Sequence, residues 1–151
     1  MKKVKFGIIG MGNMGTGHLG FFIEGKINNG VVSAVADISE KKREAIKDKL
    51  PENCVVYSSG DELIDKADVD AVIIAVPHYD HPALAIRALK KGLNVICEKP
   101  AGVYTKQVKE MNAAAEQSKG LFTMMYNQRT NPLYIKMRDL VAGANSEKCA
   151  A

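Results

Sequence analysis

The sequence predicts an α/β domain: a doubly wound, mainly parallel sheet with helices on both faces. Two patterns carry that prediction. Short apolar runs that do not alternate with polar residues recur along the chain, as they do in strands buried on both sides. Helix-length stretches separate them, and strand alternating with helix marks parallel strands joined by crossovers. Right-handed crossovers then wind such strands into an open sheet. A length of 151 residues with 46% hydrophobic side chains supplies one core and excludes a disordered or low-complexity chain.

Val4 to Ile9 reads as a buried strand ending in glycines, and Met14 to Ile27 as helix-length material interrupted by Gly17, Gly20 and Gly25. Val31 to Ala36 is the second strand, with Asp37 at its end. Ser39 is placed to cap a charged helix from Glu40 to about Leu50, which Pro51 closes. Val55 to Tyr57 is a short third strand, and Ser59 precedes a helix over Asp61 to Ala67. Ala71 to Val76 is the strongest strand, and Pro77 blocks its continuation. Pro82 fits the first turn of a helix to about Lys91, with Leu84, Ala85, Ala88 and Leu89 as its packed stripe and Gly92 as its stop. Leu93 to Cys97 is a further strand; Tyr104 to Ser118 is a helix burying Val108, Met111 and Ala115; Leu121 to Met125 is the last strand. Pro132 opens a final helix to about Ala142.

Lys and Arg number 21 against 17 Asp and Glu, a formal charge of +4. The basic residues are scattered among acids and carry no aromatic interleaving or zinc-finger spacing, so nucleic acid is not an expected partner. No apolar run approaches the roughly 20 residues of a membrane span, and the charged start is followed by no apolar leader with a small-residue cleavage site. A cytoplasmic protein without membrane partners is expected. Cys54, Cys97 and Cys149 are widely spaced and lack a C-x-x-C pairing, which points to reduced thiols and not to a disulfide framework or a zinc site.

Gly10, Gly12 and Gly15 form G-x-G-x-x-G directly after a strand and before helical sequence, the context in which this pattern binds a dinucleotide. Gly10 permits the tight turn, Gly12 lets a pyrophosphate approach the backbone, and Gly15 allows close packing of helix on strand. Asn13 and Met14 open the helix whose unpaired N–H groups face the phosphate charge. Asp37, about 20 residues on, ends the second strand where a carboxylate accepts from the adenosine ribose hydroxyls and repels an extra phosphate. NAD is therefore expected. NADP remains open, because Lys41, Lys42 and Arg43 reach a 2′-phosphate if the turn bends inward; otherwise they are a solvated helix face.

The strands before Pro77 and Glu98 end on the same side of a parallel sheet as the glycine turn, where a ligand crevice forms. His78 and His81 fall there with Asp80 between them, but no convincing third and fourth ligand completes a site with the two imidazoles and no metal is expected. The two histidines are read either as loop polarity and capping or as cofactor contacts. Lys99 is the sharper candidate: an ammonium beside a bound nicotinamide steers a substrate oxygen, stabilises developing negative charge or assists proton transfer. Its neighbour Glu98 is placed to bond the cofactor ribose or to orient that lysine, and Pro100 restricts the Lys99 backbone.

From Lys3 to Ala142 the chain resembles the amino-terminal domain of the glucose-fructose oxidoreductase, inositol dehydrogenase and rhizopine-catabolism (Gfo/Idh/MocA) family. The resemblance rests on the segment from Gly10 to Gly15, on Ala75-Val76-Pro77 leading to His81, and on Gly92-Leu93-Asn94-Val95-Ile96-Cys97-Glu98-Lys99-Pro100. It implies a Rossmann fold and NAD(P)-dependent hydride transfer involving a sugar, cyclitol or related hydroxyl compound. It also implies that Lys99 is the catalytic lysine and that Glu98, Pro77 and His81 belong to the cofactor pocket. Tyr126 to Arg129 and Pro132 are similar to the family's segment leading out of this domain.

The family's carboxy-terminal α/β domain, which shapes the substrate pocket, supplies an acid and a histidine and commonly forms oligomer contacts, has no counterpart here. Residues 1–142 are therefore expected to be the dinucleotide-binding domain of a longer, homo-oligomeric parent enzyme, and residues 143–151 a tail or connection stump. Alone, such a domain is expected to be inactive, since cofactor without positioned substrate lacks the proximity that hydride transfer needs. Apolar surface near Leu133, Ile135, Met137 and Leu140 is expected to be exposed. The competing readings are a non-catalytic NAD-sensing or interaction module and a structural partner that has lost ligand binding.

Overall fold

The computed structural model describes residues 3–148, with side chains through Gly143; Cys149, one of the expected reduced thiols, lies outside them. Six strands form one sheet: β1 (Val4–Ile9), β2 (Gly30–Ala36), β3 (Val55–Tyr57), β4 (Ala71–Ile74), β5 (Asn94–Glu98) and β6 (Phe122–Met125). They lie in the order β3-β2-β1-β4-β5-β6. All five pairings are parallel. This is the doubly wound Rossmann order, in which the chain runs outward from β1 one way to β3, returns, and runs the other way to β6.

The six α-helices are α1 (Asn13–Ile23), α2 (Glu40–Ile46), α3 (Gly60–Lys66), α4 (His81–Lys90), α5 (Thr105–Gln117) and α6 (Pro132–Lys148). Side-chain alternation along β1 divides the core. Ile8 packs with Leu19 of α1 and with Val35 and Ile73 on one face. Ile9 packs with Leu63, Ala85, Leu89 and Met111 of α3, α4 and α5 on the other. β4 is buried along its whole length, so truncating Ile74 to alanine would cost about 2–5 kcal/mol.

Several boundaries differ from the sequence expectation for local reasons. α1 stops at Ile23 because Gly25 adopts φ +69°, a helix-terminating conformation. The charged helix tightens after Ile46 into a 3-10 turn, Lys47–Lys49. Ser39 stands at the N-terminus of α2, but its side chain makes no cap; its amide instead donates to Asp37 Oδ1 at 2.8 Å. Ser59 does cap α3, its Oγ accepting from the Glu62 amide at 3.1 Å. The last helix continues past Ala142 to Lys148. On it Leu133, Met137 and Leu140 are exposed as expected, whereas Ile135 is half-buried.

Candidate functional site

The carboxyl end of β1 is pinned between its two neighbours: the Gly10 amide donates to the Ala36 carbonyl at 2.7 Å, and the Ala75 amide donates to the Ile9 carbonyl at 2.8 Å. The turn that follows therefore sits at the point where the winding reverses, the place where open α/β sheets bind ligands. Gly10 has φ +93°, and a Cβ there would lie 2.6 Å from the Ala75 carbonyl oxygen. A Cβ on Gly15 would lie 1.8 Å from the Gly10 carbonyl oxygen, so α1 packs against the turn as only glycine allows. Gly12 is different, since a Cβ there would meet nothing within 4 Å. The space above Gly12 is open, no side chain caps α1, and no acidic residue stands in its first turn. A helix N-terminus with free amides facing open space accepts an anion.

Asp37 is buried, and its carboxylate holds two loops: Oδ2 accepts from the Met11 amide at 2.7 Å and Oδ1 from the Ser39 amide at 2.8 Å. A carboxylate has about four acceptor sites, so two remain for hydroxyl donors. Lys42 Nζ lies 3.7 Å from Oδ2, and Arg43 donates to the Asp37 carbonyl at 2.7 Å. These two cations are turned toward the strand end, whereas Lys41 is exposed without such a contact.

A cleft of about 780 Å³ runs along this edge. Gly10, Gly12, Asn13, Met14, Asp37 and Pro77 line it, together with Ile38, Lys42, Ala75 and Val76. Gly15, Glu98 and His81 lie outside its wall. His81 is only 1% exposed, with Nδ1 2.7 Å from the Pro100 carbonyl oxygen and Nε2 2.9 Å from that of Val76. A ring so engaged has no nitrogen left for a cofactor, which corrects the contact expected of it: it ties the loop after β4 to the turn after β5. His78 is exposed and stacks on Tyr79, with ring centroids 5.0 Å apart.

Glu98 is likewise buried, and both its oxygens are used within the protein. Oε1 accepts from His18 Nε2 at 2.8 Å and Oε2 from the Lys99 amide at 3.2 Å. As with Asp37, two bonds do not exhaust a carboxylate's acceptor sites, so the ribose contact and the holding of the lysine expected of Glu98 both stay open. Lys99 is exposed at the strand end. Its ammonium makes no hydrogen bond or ion pair among the described residues, which leaves it available to a ligand. The Lys99–Pro100 peptide is cis.

Burial pushes the Cys97 thiol, one residue before Glu98, up to about 12, with the Glu98 charge adding to the shift. Cys54 is pushed up to about 11 by burial. Neither is set up as a nucleophile. No cluster of three or more His, Cys, Asp or Glu among the described residues has the arrangement of a metal site, and no helix among them is long and apolar enough to cross a membrane.

The sequence reading missed His18. Its only signal was a histidine one position before Leu19 on the buried side of α1, and its partner is 80 residues away.

Residues 4–126 match the family described as oxidoreductase family, NAD-binding Rossmann fold. Inositol 2-dehydrogenase 1 of Saccharopolyspora erythraea is 33% identical over 93% of this chain and 42% of its own length. Trans-1,2-dihydrobenzene-1,2-diol dehydrogenase of Bos taurus is 39% identical over 62% of this chain and 27% of its own length. Among solved structures, scyllo-inositol dehydrogenase from Lactobacillus casei with bound NAD(H) and scyllo-inositol superposes with a TM-score of 0.85 at 26% identity, over 95% of this chain and 42% of that one. The chain thus spans less than half the length of these proteins.

Proposed function

Because the chain belongs to the Gfo/Idh/MocA oxidoreductase family, through its NAD-binding Rossmann fold, we propose that it is the cofactor half of a dehydrogenase acting on an inositol, sugar or related polyol. The observation that supports this best is the pairing of the open, uncapped turn at Gly12 with the Asp37 carboxylate on one cleft. The α1 amides at Asn13 and Met14 take the pyrophosphate, and Asp37 takes the adenosine ribose hydroxyls through its free acceptor sites. Pro77 and Val76 border the nicotinamide end. When bound, the cofactor supplies a ring that accepts or donates hydride.

Lys99 is the catalytic residue. Its ammonium hydrogen-bonds the substrate oxygen whose carbon exchanges hydride, and stabilises negative charge as it develops there. The rest of the substrate contacts come from sequence outside this chain, residues 1–142 being the cofactor domain and the segment from 143 a connection. The setting is the cytoplasm, where a dissociable nicotinamide cofactor is in supply, and the working assembly is a homo-oligomer.

Calorimetric titration with NAD and NADP tests the reading. NAD is expected to bind at least about tenfold more tightly, a difference of about 1.4 kcal/mol, because Asp37 repels a 2′-phosphate. A preference for NADP would assign the specificity to Lys42 and Arg43 and overturn the role given to Asp37. No affinity for either dinucleotide would overturn the function. In the complete enzyme, Lys99→Ala is expected to leave NAD binding intact and remove polyol-dependent NAD reduction.

A further inference from the structure

The geometry points to His18 as a positioning residue that sets the backbone of Lys99 through the Glu98 carboxylate. The inference rests on the catalytic role proposed above for Lys99 and concerns a residue outside that site. Both side chains of the pair are almost fully buried, His18 at 9% and Glu98 at 3% exposure. A carboxylate only accepts, so His18 Nε2 carries the proton and donates it to Oε1 at 2.8 Å. The other oxygen, Oε2, receives the Lys99 amide at 3.2 Å. One carboxylate therefore spans from α1 to the peptide that carries the exposed lysine. Without His18, Oε1 would be a buried acceptor with no partner in a water-poor setting, and Glu98 would be driven to turn toward solvent, releasing the amide.

His18 stands on the same short helix whose N-terminus faces the open space above Gly12. From the opposite face of the sheet, His81 fixes the next carbonyl, that of Pro100. The turn bearing Lys99 is thus held from both sides by buried imidazoles. Only the His18 arm reaches it through the helix that would take the diphosphate.

The test is residue-resolved amide hydrogen exchange of this chain by NMR, comparing the unaltered protein with His18→Leu and His18→Gln. Glutamine places an N–H at about the reach of Nε2, whereas leucine keeps bulk without a donor. In His18→Leu the Lys99 amide is expected to exchange about tenfold faster or more, while core amides of Ile8 and Val72 keep their rates; His18→Gln restores the Lys99 rate. A Lys99 rate unchanged in His18→Leu, or equally raised in His18→Gln, would overturn the proposal.

Should His18→Leu not fold, the unaltered protein still decides. NAD is expected to shift the His18 ring and the Lys99 amide together with the Gly12 amide; movement at Gly12 alone would count against the brace. Absence of any response to NAD would count against the cofactor reading; the brace is then judged by His18→Gln, in which a Lys99 amide exchanging faster than in the unaltered protein would overturn it.

Discussion

Alanine at Gly12 and alanine at Gly15 should have opposite consequences, although the two glycines belong to one motif. At Gly15 the new methyl would stand 1.8 Å from the Gly10 carbonyl oxygen, where ordinary contact begins near 3.4 Å. Gly10 cannot retreat, since its amide is bonded to Ala36 and its own α-carbon already faces the Ala75 carbonyl. Overpacking against fixed backbone costs about 3 kcal/mol or more, which for a chain of this size lowers the unfolding midpoint by roughly 6–12 °C.

At Gly12 the methyl would enter empty space at φ −81°, a backbone open to any L-residue. The gain of about 0.4–1 kcal/mol from a stiffer unfolded chain is offset by alanine being a poorer N-cap than glycine, so stability stays within about 1 kcal/mol of the parent. The same methyl meets the diphosphate. A clash of about 1–3 kcal/mol, confined to the complex, corresponds to one to two decades of NAD affinity. Thermal unfolding followed by circular dichroism and calorimetric NAD titration measure the two effects separately. Unimpaired NAD binding by Gly12→Ala, or an unshifted midpoint for Gly15→Ala, would refute the assignment of space and contact made here.

Asp37→Ala removes the acceptor of two amides, that of buried Met11 and that of half-buried Ser39; a loss of about 2–3 kcal/mol is expected in urea unfolding, and an unchanged midpoint would contradict the bridging role. Lys66 chiefly, and Ser58 after it, lower the Glu62 carboxyl from 4.5 to about 2. Its folded value is depressed, so its contribution is present above pH 4.5 and is lost as pH falls toward 2. NMR titration of the Glu62 side chain checks this, and a midpoint near 4.5 would count against it. Because burial raises Cys97 to about 12, iodoacetamide at pH 8 should leave it unmodified in the folded protein and label it in denaturant; mass spectrometry of the labelled peptide reads the outcome.

What could be read in advance was whatever is decided within a few residues. Val4–Ile9 and the glycine turn are legible because the turn demands glycine locally, and Asp37 because it ends the strand that follows. Pro77 and Gly92 likewise mark where an element stops. The endpoint of α1 was less accessible, since Gly17, Gly20 and Gly25 are alike on paper and only Gly25 takes a positive φ. His81 was visible as a residue but not as a strut, for its partners are a carbonyl 5 residues away and another 19 away. His18 and Glu98 meet across 80 positions. No periodicity encodes such a contact; it exists only once β5 has been laid beside β4.

The sheet register fixes the pinned strand end, yet Ile38 on the turn after β2 and Lys42 and Arg43 in the first turns of α2 lie beyond it, where no strand pairing constrains them. Selectivity toward one dinucleotide or the other can therefore drift, or be engineered, through substitutions between positions 38 and 43 while the scaffold stays untouched. In this arrangement a change of coenzyme is a matter of rewriting one short segment, the turn after β2 and the start of α2, and directed libraries confined to it should yield folded variants in high proportion.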